Sequence, residues 1–193
     1  MNPGLPPGLW AALDGRLWHA TERGGLQGII AGRHVQVSPE TRYRSSFCRC
    51  ESSVSVFDFG PTATGICAQF RNWAGWLGHE QGTRVAVWLE IDRVAAKAFL
   101  LEAEPARQKW DSTSSRCKTF IPGVEACHKG PVPISAIVGV LLIARDARER
   151  FLYCALDSDI NRHIDEFEAG LPPPPDDDLL SRLQAGRNRV SKK

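Results

Sequence analysis

Hydrophobic residues recur at two different spacings along the chain, and the two spacings predict different secondary structure. Alternating or continuous apolar positions predict four strands, at residues 53–59, 83–91, 138–143 and 150–155. Apolar positions three and four residues apart predict a helix over 22–31 and an amphipathic helix over 68–77. Many short strands, few helices and no regular β-α-β alternation are typical of an α+β domain.

The aromatic side chains of segment 68–77 have two interpretations. Phe70, Trp73 and Trp76 recur at helical spacing, which is more often a sign of core packing than of a platform for stacking bases. The sequence leaves open whether Trp73, Trp76 and Trp88 all lie in the core or whether one of them lines a cleft.

Proline and glycine mark the expected limits of the folded domain. Residues 1–15 are predicted to be an N-terminal extension, loosely packed over its first eight residues. Four consecutive prolines at 172–175 predict a stiff spacer. We therefore expect one domain over 16–170 and, beyond it, a C-terminal tail over 171–193 that starts acidic and ends basic.

Composition limits the classes of protein to consider. The chain has 193 residues, of which 42% are hydrophobic, and this supports one substantial core. The formal net charge of +2 favours no particular partner. The chain has neither a basic-then-apolar leader nor an apolar run of membrane-spanning length. We therefore expect a cytoplasmic protein without a membrane partner.

The six cysteines allow more than one kind of site. Five of them, with a neighbouring histidine, are candidate zinc ligands: Cys48, Cys50, Cys67, Cys117, Cys127 and His128. The spacing matches no Cys-x-x-Cys pair, so we predict no metal site. Disulfides require an oxidising compartment, which nothing in the sequence indicates. The sequence therefore favours free, mostly buried thiols.

Two polar segments without a clean period predict exposed loops. The first spans 38–51, is rich in Arg, Ser and Thr, and contains Tyr43. The second spans 104–119 and contains Trp110. Long polar loops over a scaffold are common places for ligand contact.

Two segments far apart in the chain carry the candidate chemistry. The chain has no Walker loop, GxGxxG, HExxH or GxSxG motif. Near the start, His19 lies on a predicted strand, and Thr21 is a suitable N-cap for the helix that follows. Near the end, Glu125 precedes a Gly-Pro-Val-Pro turn, which forbids a helix, and then the apolar run 134–143. The second segment therefore places a lone carboxyl beside a rigid corner at the edge of the core.

The order of these segments resembles the ADP-ribosyltransferase superfamily, in particular its branch with a His–Tyr–Glu type of site. LWHAT followed by LQGIIAGR is similar to that group's opening strand and helix. VEACHKGPVPISAIVGVLLI is similar to its late strands, where a Val-Pro turn follows the catalytic Glu. The resemblance covers residues 16–143 and implies two mainly antiparallel sheets that enclose an NAD cleft.

The resemblance also implies roles for three catalytic residues. Glu125 would hold the ribose hydroxyls and stabilise the oxocarbenium-like charge that develops when the nicotinamide–ribose bond breaks. His19 would hydrogen-bond a ribose hydroxyl and fix the bent dinucleotide. Tyr43 would stack on nicotinamide, with Phe57 and Phe59 as rivals for this role.

Further residues are implied to bind NAD. Ala20 and Thr21, with the start of the following helix, would contact the dinucleotide. One arginine of the neighbouring segment, Arg33, Arg42 or Arg44, would pair with the pyrophosphate.

The implied function is transfer of ADP-ribose from NAD to a nucleic-acid or protein acceptor, with release of nicotinamide. The usual setting of so small a member is a toxin or defence effector, with an antitoxin or immunity protein as partner. Gly123 lies where arginine-modifying members often carry Glu or Gln, so we expect another acceptor. Trp18 lies where the RNA 2′-phosphotransferase relatives usually have Arg, which argues against that reaction.

Other functions remain as alternatives. The chain could be an NAD glycohydrolase, or a non-catalytic nucleic-acid- or protein-binding module on the same fold that binds NAD weakly or not at all. A nucleic-acid-binding protein that uses its arginine-bearing loops and Trp110 would bind in a strongly salt-dependent way. A small zinc protein is the remaining alternative.

Overall fold

The computed structural model describes residues 2–37, 45–77, 84–113, 119–145 and 148–172. The strands in this part of the chain are β1 (Leu17–Thr21), β2 (His34–Val35), β3 (Ser53–Asp58), β4 (Val85–Ile91), β5 (Leu100–Leu101), β6 (Glu125–Lys129), β7 (Val132–Pro133), β8 (Ile137–Ala144) and β9 (Phe151–Cys154). The helices are α1 (Pro7–Leu13), α2 (Arg23–Gly32), α3 (Phe47–Cys50), α4 (Phe70–Trp73), α5 (Arg93–Ala96), α6 (Ala103–Asp111) and α7 (Ile160–Ala169). None of these helices is long and apolar enough to cross a membrane.

Seven of the described strands form one antiparallel sheet in the order β5-β6-β3-β1-β4-β8-β9. Strands β2 and β7 form a second, small antiparallel sheet. This confirms the predicted α+β class with mainly antiparallel sheets. Membership of the ADP-ribosyltransferase fold stays a prediction.

The strands with the clearest apolar pattern lie where the sequence predicts them, as β3, β4, β8 and β9. The helix predicted over 68–77 is shorter, because α4 passes into a 3₁₀ turn at Ala74–Leu77. The prediction of a loop over 104–119 is wrong at its start, where the chain forms α6. Ala103 and Ala106 are fully buried on α6, and side chains this small give little periodic signal in a polar segment.

The sheet is covered on both faces. On one face, α2 contributes Leu26 and Ile29 to an aliphatic cluster with β-strand residues. On the other face, Leu9 and Leu13 of α1 are fully buried in an aromatic cluster that Leu5 also joins. Leu5 lies within the first eight residues, so the expectation of loose packing there is wrong at this side chain, which helps to complete the core. The boundary of the extension at residue 15 stays a prediction.

The sheet opens between two of its central strands. β1 pairs with β4 along its whole length, from Leu17 opposite Ile91 to Thr21 opposite Val87. It pairs with β3 only at Leu17 and Trp18. Beyond Trp18, β3 stays paired with β6 while β1 stays paired with β4, so the strands separate. The gap between them is the place where a ligand can enter the sheet.

Candidate functional site

A cavity of about 450 Å³ occupies the gap between β1 and β3. This volume lies in the usual range for ligand pockets, about 300–1,000 Å³. His19 lines the cavity from β1, and Glu125 lines it from the start of β6. The structure thus brings together the two residues that the sequence singles out from distant segments.

Glu125 is buried and held by two neutral donors. The Ser55 hydroxyl donates to its Oε1 at 2.6 Å, and the Ile121 backbone N–H donates to its Oε2 at 2.9 Å. Burial raises the pKa of Glu125 to about 7, and these two hydrogen bonds oppose the rise. A carboxyl with such a pKa is suited to proton transfer or to charge stabilisation near neutral pH.

His19, like Glu125, is hydrogen-bonded to Ser55 of β3. Its Nδ1 lies 3.0 Å from the carbonyl oxygen of Ser55. Because a carbonyl only accepts, we assign the proton to Nδ1, which leaves Nε2 as an acceptor in the neutral ring. Burial lowers the pKa of His19, while the bond to Ser55 opposes this. The imidazole is therefore neutral at pH 7.

Ser55 connects the two candidate catalytic residues, a role that the sequence did not reveal. Its hydroxyl binds Glu125, and its carbonyl accepts from His19. The available signal was the alternation along β3, which places Ser55 on the same face as Phe57. In the antiparallel register, Phe57 lies opposite Glu125, and Ser55 lies opposite Cys127.

Most of the remaining predicted residues in the described part line the cavity. Ala20, Thr21 and Phe57 do so. Phe59, the rival of Phe57, is 1% exposed and stacks beside it in the aromatic core, with ring centroids 6.4 Å apart. Thr21 also approaches α2 closely, since a Cβ at Gly25 would overlap the Thr21 hydroxyl.

Among the described residues, the arginines that line the cavity differ from the one that the sequence predicts to bind the dinucleotide. Arg33 ends α2 in a left-handed conformation, is exposed and does not line the cavity. Arg42, Arg44 and Tyr43 lie outside the described residues, so their roles stay predictions. Two arginines that the sequence did not single out for the dinucleotide site, Arg49 and Arg145, line the cavity instead.

Two of the three tryptophans that the sequence leaves open lie in the core, and the third lines the cavity. Trp73 and Trp88 are fully buried in the core. Trp76 is half-buried and lines the cavity, with its ring centroid 5.9 Å from that of Phe57. The cavity is therefore lined by the aromatic side chains of Phe57 and Trp76 as well as by the His19–Ser55–Glu125 group.

A disulfide crosses one wall of the site. Cys48 of α3 is bonded to Cys127 of β6, two residues after Glu125. Cys50 is also disulfide-bonded, whereas Cys67 and Cys154 are free. The expectation of free thiols is thus wrong at Cys48, Cys50 and Cys127. The Cys48–Cys127 pairing joins residues 79 positions apart, and only the packing of α3 on β6 reveals it.

This bond bears on the zinc alternative and on the predicted location. Cys48 and Cys127 were candidate zinc ligands, and across the described ranges no three His, Cys, Asp or Glu side chains form a group able to hold a metal ion. Disulfides persist mainly in oxidising compartments, so the bond weighs against the predicted cytoplasmic location. That location stays a prediction.

Comparison with known protein families, curated proteins and solved structures finds no match. A functional conclusion for this chain therefore depends on the residues and geometry of the cavity.

Proposed function

We propose that this protein cleaves the nicotinamide–ribose bond of NAD and transfers ADP-ribose to a nucleic-acid or protein acceptor. The observation that carries the proposal is that His19 and Glu125, which the sequence resemblance pairs across a long stretch of chain, line one cavity.

The cavity has the chemical features that NAD requires. Its volume of about 450 Å³ suits the nicotinamide–ribose half of the molecule. Phe57 and Trp76 offer an aromatic wall to the nicotinamide ring. Arg49 and Arg145, the described arginines that line the cavity, would pair with the pyrophosphate. Tyr43 keeps its predicted stacking role.

Glu125 performs the central electrostatic task. Bond cleavage places positive charge on the ribose, and an ionised carboxylate beside it stabilises that charge. The low-dielectric surroundings that raise the pKa of Glu125 to about 7 also strengthen this attraction. Ser55 and the Ile121 N–H hold the carboxylate in one orientation, so little reorganisation is needed during the reaction.

His19 binds and orients the substrate. With Nδ1 committed to the Ser55 carbonyl, Nε2 accepts a hydrogen bond from a ribose hydroxyl. Ser55 also holds Glu125, so one residue of β3 is hydrogen-bonded to both groups that would contact the ribose. Such fixed geometry contributes to catalysis by orientation.

NAD hydrolysis is the second candidate function. A carboxyl whose pKa is about 7 can act as a general base toward water as well as toward a macromolecular nucleophile. The two reactions share every step up to loss of nicotinamide, and they differ only in the group that attacks the ribose.

The test is nicotinamide release from NAD by the purified protein alone and with DNA, RNA or cell lysate. We expect release by the wild type, and none by Glu125→Gln. The matched control is Glu166→Gln at an exposed position of α7, which should keep full activity. Enhancement by one additive identifies the acceptor, whereas release by the protein alone indicates hydrolysis. No release under any condition, together with no thermal protection by NAD, contradicts both enzyme functions.

A further inference from the structure

Two glycines meet at the turn that precedes Glu125. The backbone N–H of Gly65 donates to the carbonyl oxygen of Gly123 at 2.9 Å. A Cβ at Gly65 would overlap the Pro122 carbonyl oxygen, and one at Gly123 would lie 2.7 Å from the Gly65 nitrogen. Gly123 also has φ +71°, which favours glycine. Neither position can accept a side chain without separating the two backbones.

The turn at Gly123 binds the carboxyl group of Glu125. The backbone N–H groups of Val124 and Glu125 both donate to the Ile121 carbonyl, at 3.2 and 2.8 Å. In return, the Ile121 N–H donates to Oε2 of Glu125 at 2.9 Å. The direction of that N–H depends on the path of the backbone between Ile121 and Glu125, and Gly123 lies within this path.

The segment that carries Gly65 is anchored on both sides of this residue. The Thr64 hydroxyl donates to Glu104 of α6 at 3.0 Å, and Arg107 binds Glu104 in turn. After Gly65, the Ile66 carbonyl accepts from the Trp73 indole at 2.7 Å. Gly65 therefore presents a fixed surface against which the turn is packed.

We propose that Gly65 is a positioning residue for Glu125: its backbone contact with Gly123 holds the turn so that the Ile121 N–H points at the carboxylate. The catalytic importance of this contact rests on the proposed function of Glu125. The positioning itself is measurable without any substrate.

The Ile121 bond has a measurable electrostatic effect. A hydrogen bond donated to a carboxylate stabilises its charged form and so lowers its pKa. If the turn moves away, Glu125 keeps only the Ser55 hydroxyl, and its pKa rises. Among the described residues, the other ionisable groups that line the cavity are His19, Glu22, Arg49 and Arg145, and no substitution below alters them.

The test is titration of the Glu125 carboxyl by ¹³C NMR, assigned with Glu125→Gln. We expect Gly65→Ala to raise the midpoint by about one pH unit, the effect of losing one charge-assisted hydrogen bond. The matched control is Gly28→Ala on α2, where nothing lies within 4 Å of the added Cβ, and the midpoint should not move. An unchanged midpoint in folded Gly65→Ala overturns the proposal.

A milder variant covers the case in which Gly65→Ala does not fold. Thr64→Ala removes one hydroxyl and the anchor to α6, so we expect a smaller upward shift. An unchanged midpoint in folded Thr64→Ala then overturns the proposal.

Activity separates this inference from the proposed function. If the protein releases nicotinamide, the midpoint of its pH profile should move upward with the NMR midpoint in Gly65→Ala, with little change in KM. Activity with an unmoved midpoint rejects the positioning role and keeps the enzyme. A shifted NMR midpoint in a protein that never releases nicotinamide keeps the positioning role and rejects the enzyme.

Discussion

Two buried acids on neighbouring strands of the sheet are held in different ways. Asp58, at the end of β3, is fully buried and paired with Arg93, whose side chain is 30% exposed. The Gly60 N–H also donates to Asp58 at 2.8 Å. Glu125 is the first residue of β6 and lies opposite Phe57, the neighbour of Asp58. In the described structure, it receives its hydrogen bonds from a hydroxyl and a backbone N–H. One acid is neutralised by a cation, and the other is held only by neutral donors.

The difference is the one expected between an acid with a structural role and an acid with a functional role. A buried charge that is paired contributes to the integrity of the fold, because losing the pair leaves an uncompensated ion. A buried carboxyl held by neutral donors has a raised pKa, and such groups concentrate at functional sites. Only Glu125 opens onto a cavity of ligand size. The predictions below test this contrast.

The largest effect on stability is expected at Asp58. Asp58→Asn removes one partner of the buried pair and should lower the free energy of unfolding by about 3 kcal/mol, at the lower end for such pairs because Arg93 is partly exposed. Urea denaturation measures this. Glu125→Gln should be no less stable than the wild type at pH 8, and a large loss there would remove the contrast.

The pH dependence of stability should differ between the wild type and Glu125→Gln. The pKa of Glu125 is about 7 in the folded state and about 4.3 when unfolded. The stabilising contribution of the neutral carboxyl is therefore fully present below pH 4 and is lost as pH rises through 7, by up to about 4 kcal/mol. His19 contributes with the opposite sign but is present in both proteins.

Urea denaturation at several pH values from 4 to 8 gives the comparison. The wild type should lose stability relative to Glu125→Gln as the pH rises. A constant difference between the two proteins would show that Glu125 titrates normally.

The disulfide ties the wall of the site to the strand that carries Glu125. Replacing Cys48 and Cys127 with serine should lower the free energy of unfolding by about 2–3 kcal/mol, because the unfolded chain gains freedom. Cys67→Ser, at an exposed free thiol, is the control and should have little effect. Equal stability of the wild type with and without reductant would contradict the pairing.

The smallest effect is expected at Ser55. Ser55→Ala removes one of the two donors to Glu125 and should raise its pKa further, by about one pH unit. Nicotinamide release at pH 7 should then fall about fivefold, because the ionised fraction of Glu125 falls from about a half to about a tenth, and it should recover at pH 9. A loss that persists at pH 9 would show that Ser55 acts by another route.

The sequence predicts the parts of the fold that depend on local pattern. Four strands and the start of α2 follow from apolar spacing. The selection of His19 and Glu125 as candidate catalytic residues follows from the motifs around them. The burial of α1 and the formation of α6 were missed, because their packing against the sheet is a tertiary effect.

Contacts between distant segments account for most of what the sequence could not predict. The Cys48–Cys127 bond and the hydrogen bond from Ser55 to Glu125 join residues that no local pattern relates. The place of Trp76 at the cavity depends on where a helical turn ends. These features require the register of β3 against β6 and the packing of α3, which only the folded chain provides.

The most direct test of the role of Glu125 is the pH profile of nicotinamide release between pH 5 and 9, for the wild type and Glu125→Gln together. If the ionised Glu125 carboxylate drives NAD cleavage, the wild-type rate rises with a midpoint near 7, where its pKa lies, and the variant is inactive throughout. A wild-type profile without that midpoint, or equal release by the variant, would contradict the role assigned to Glu125.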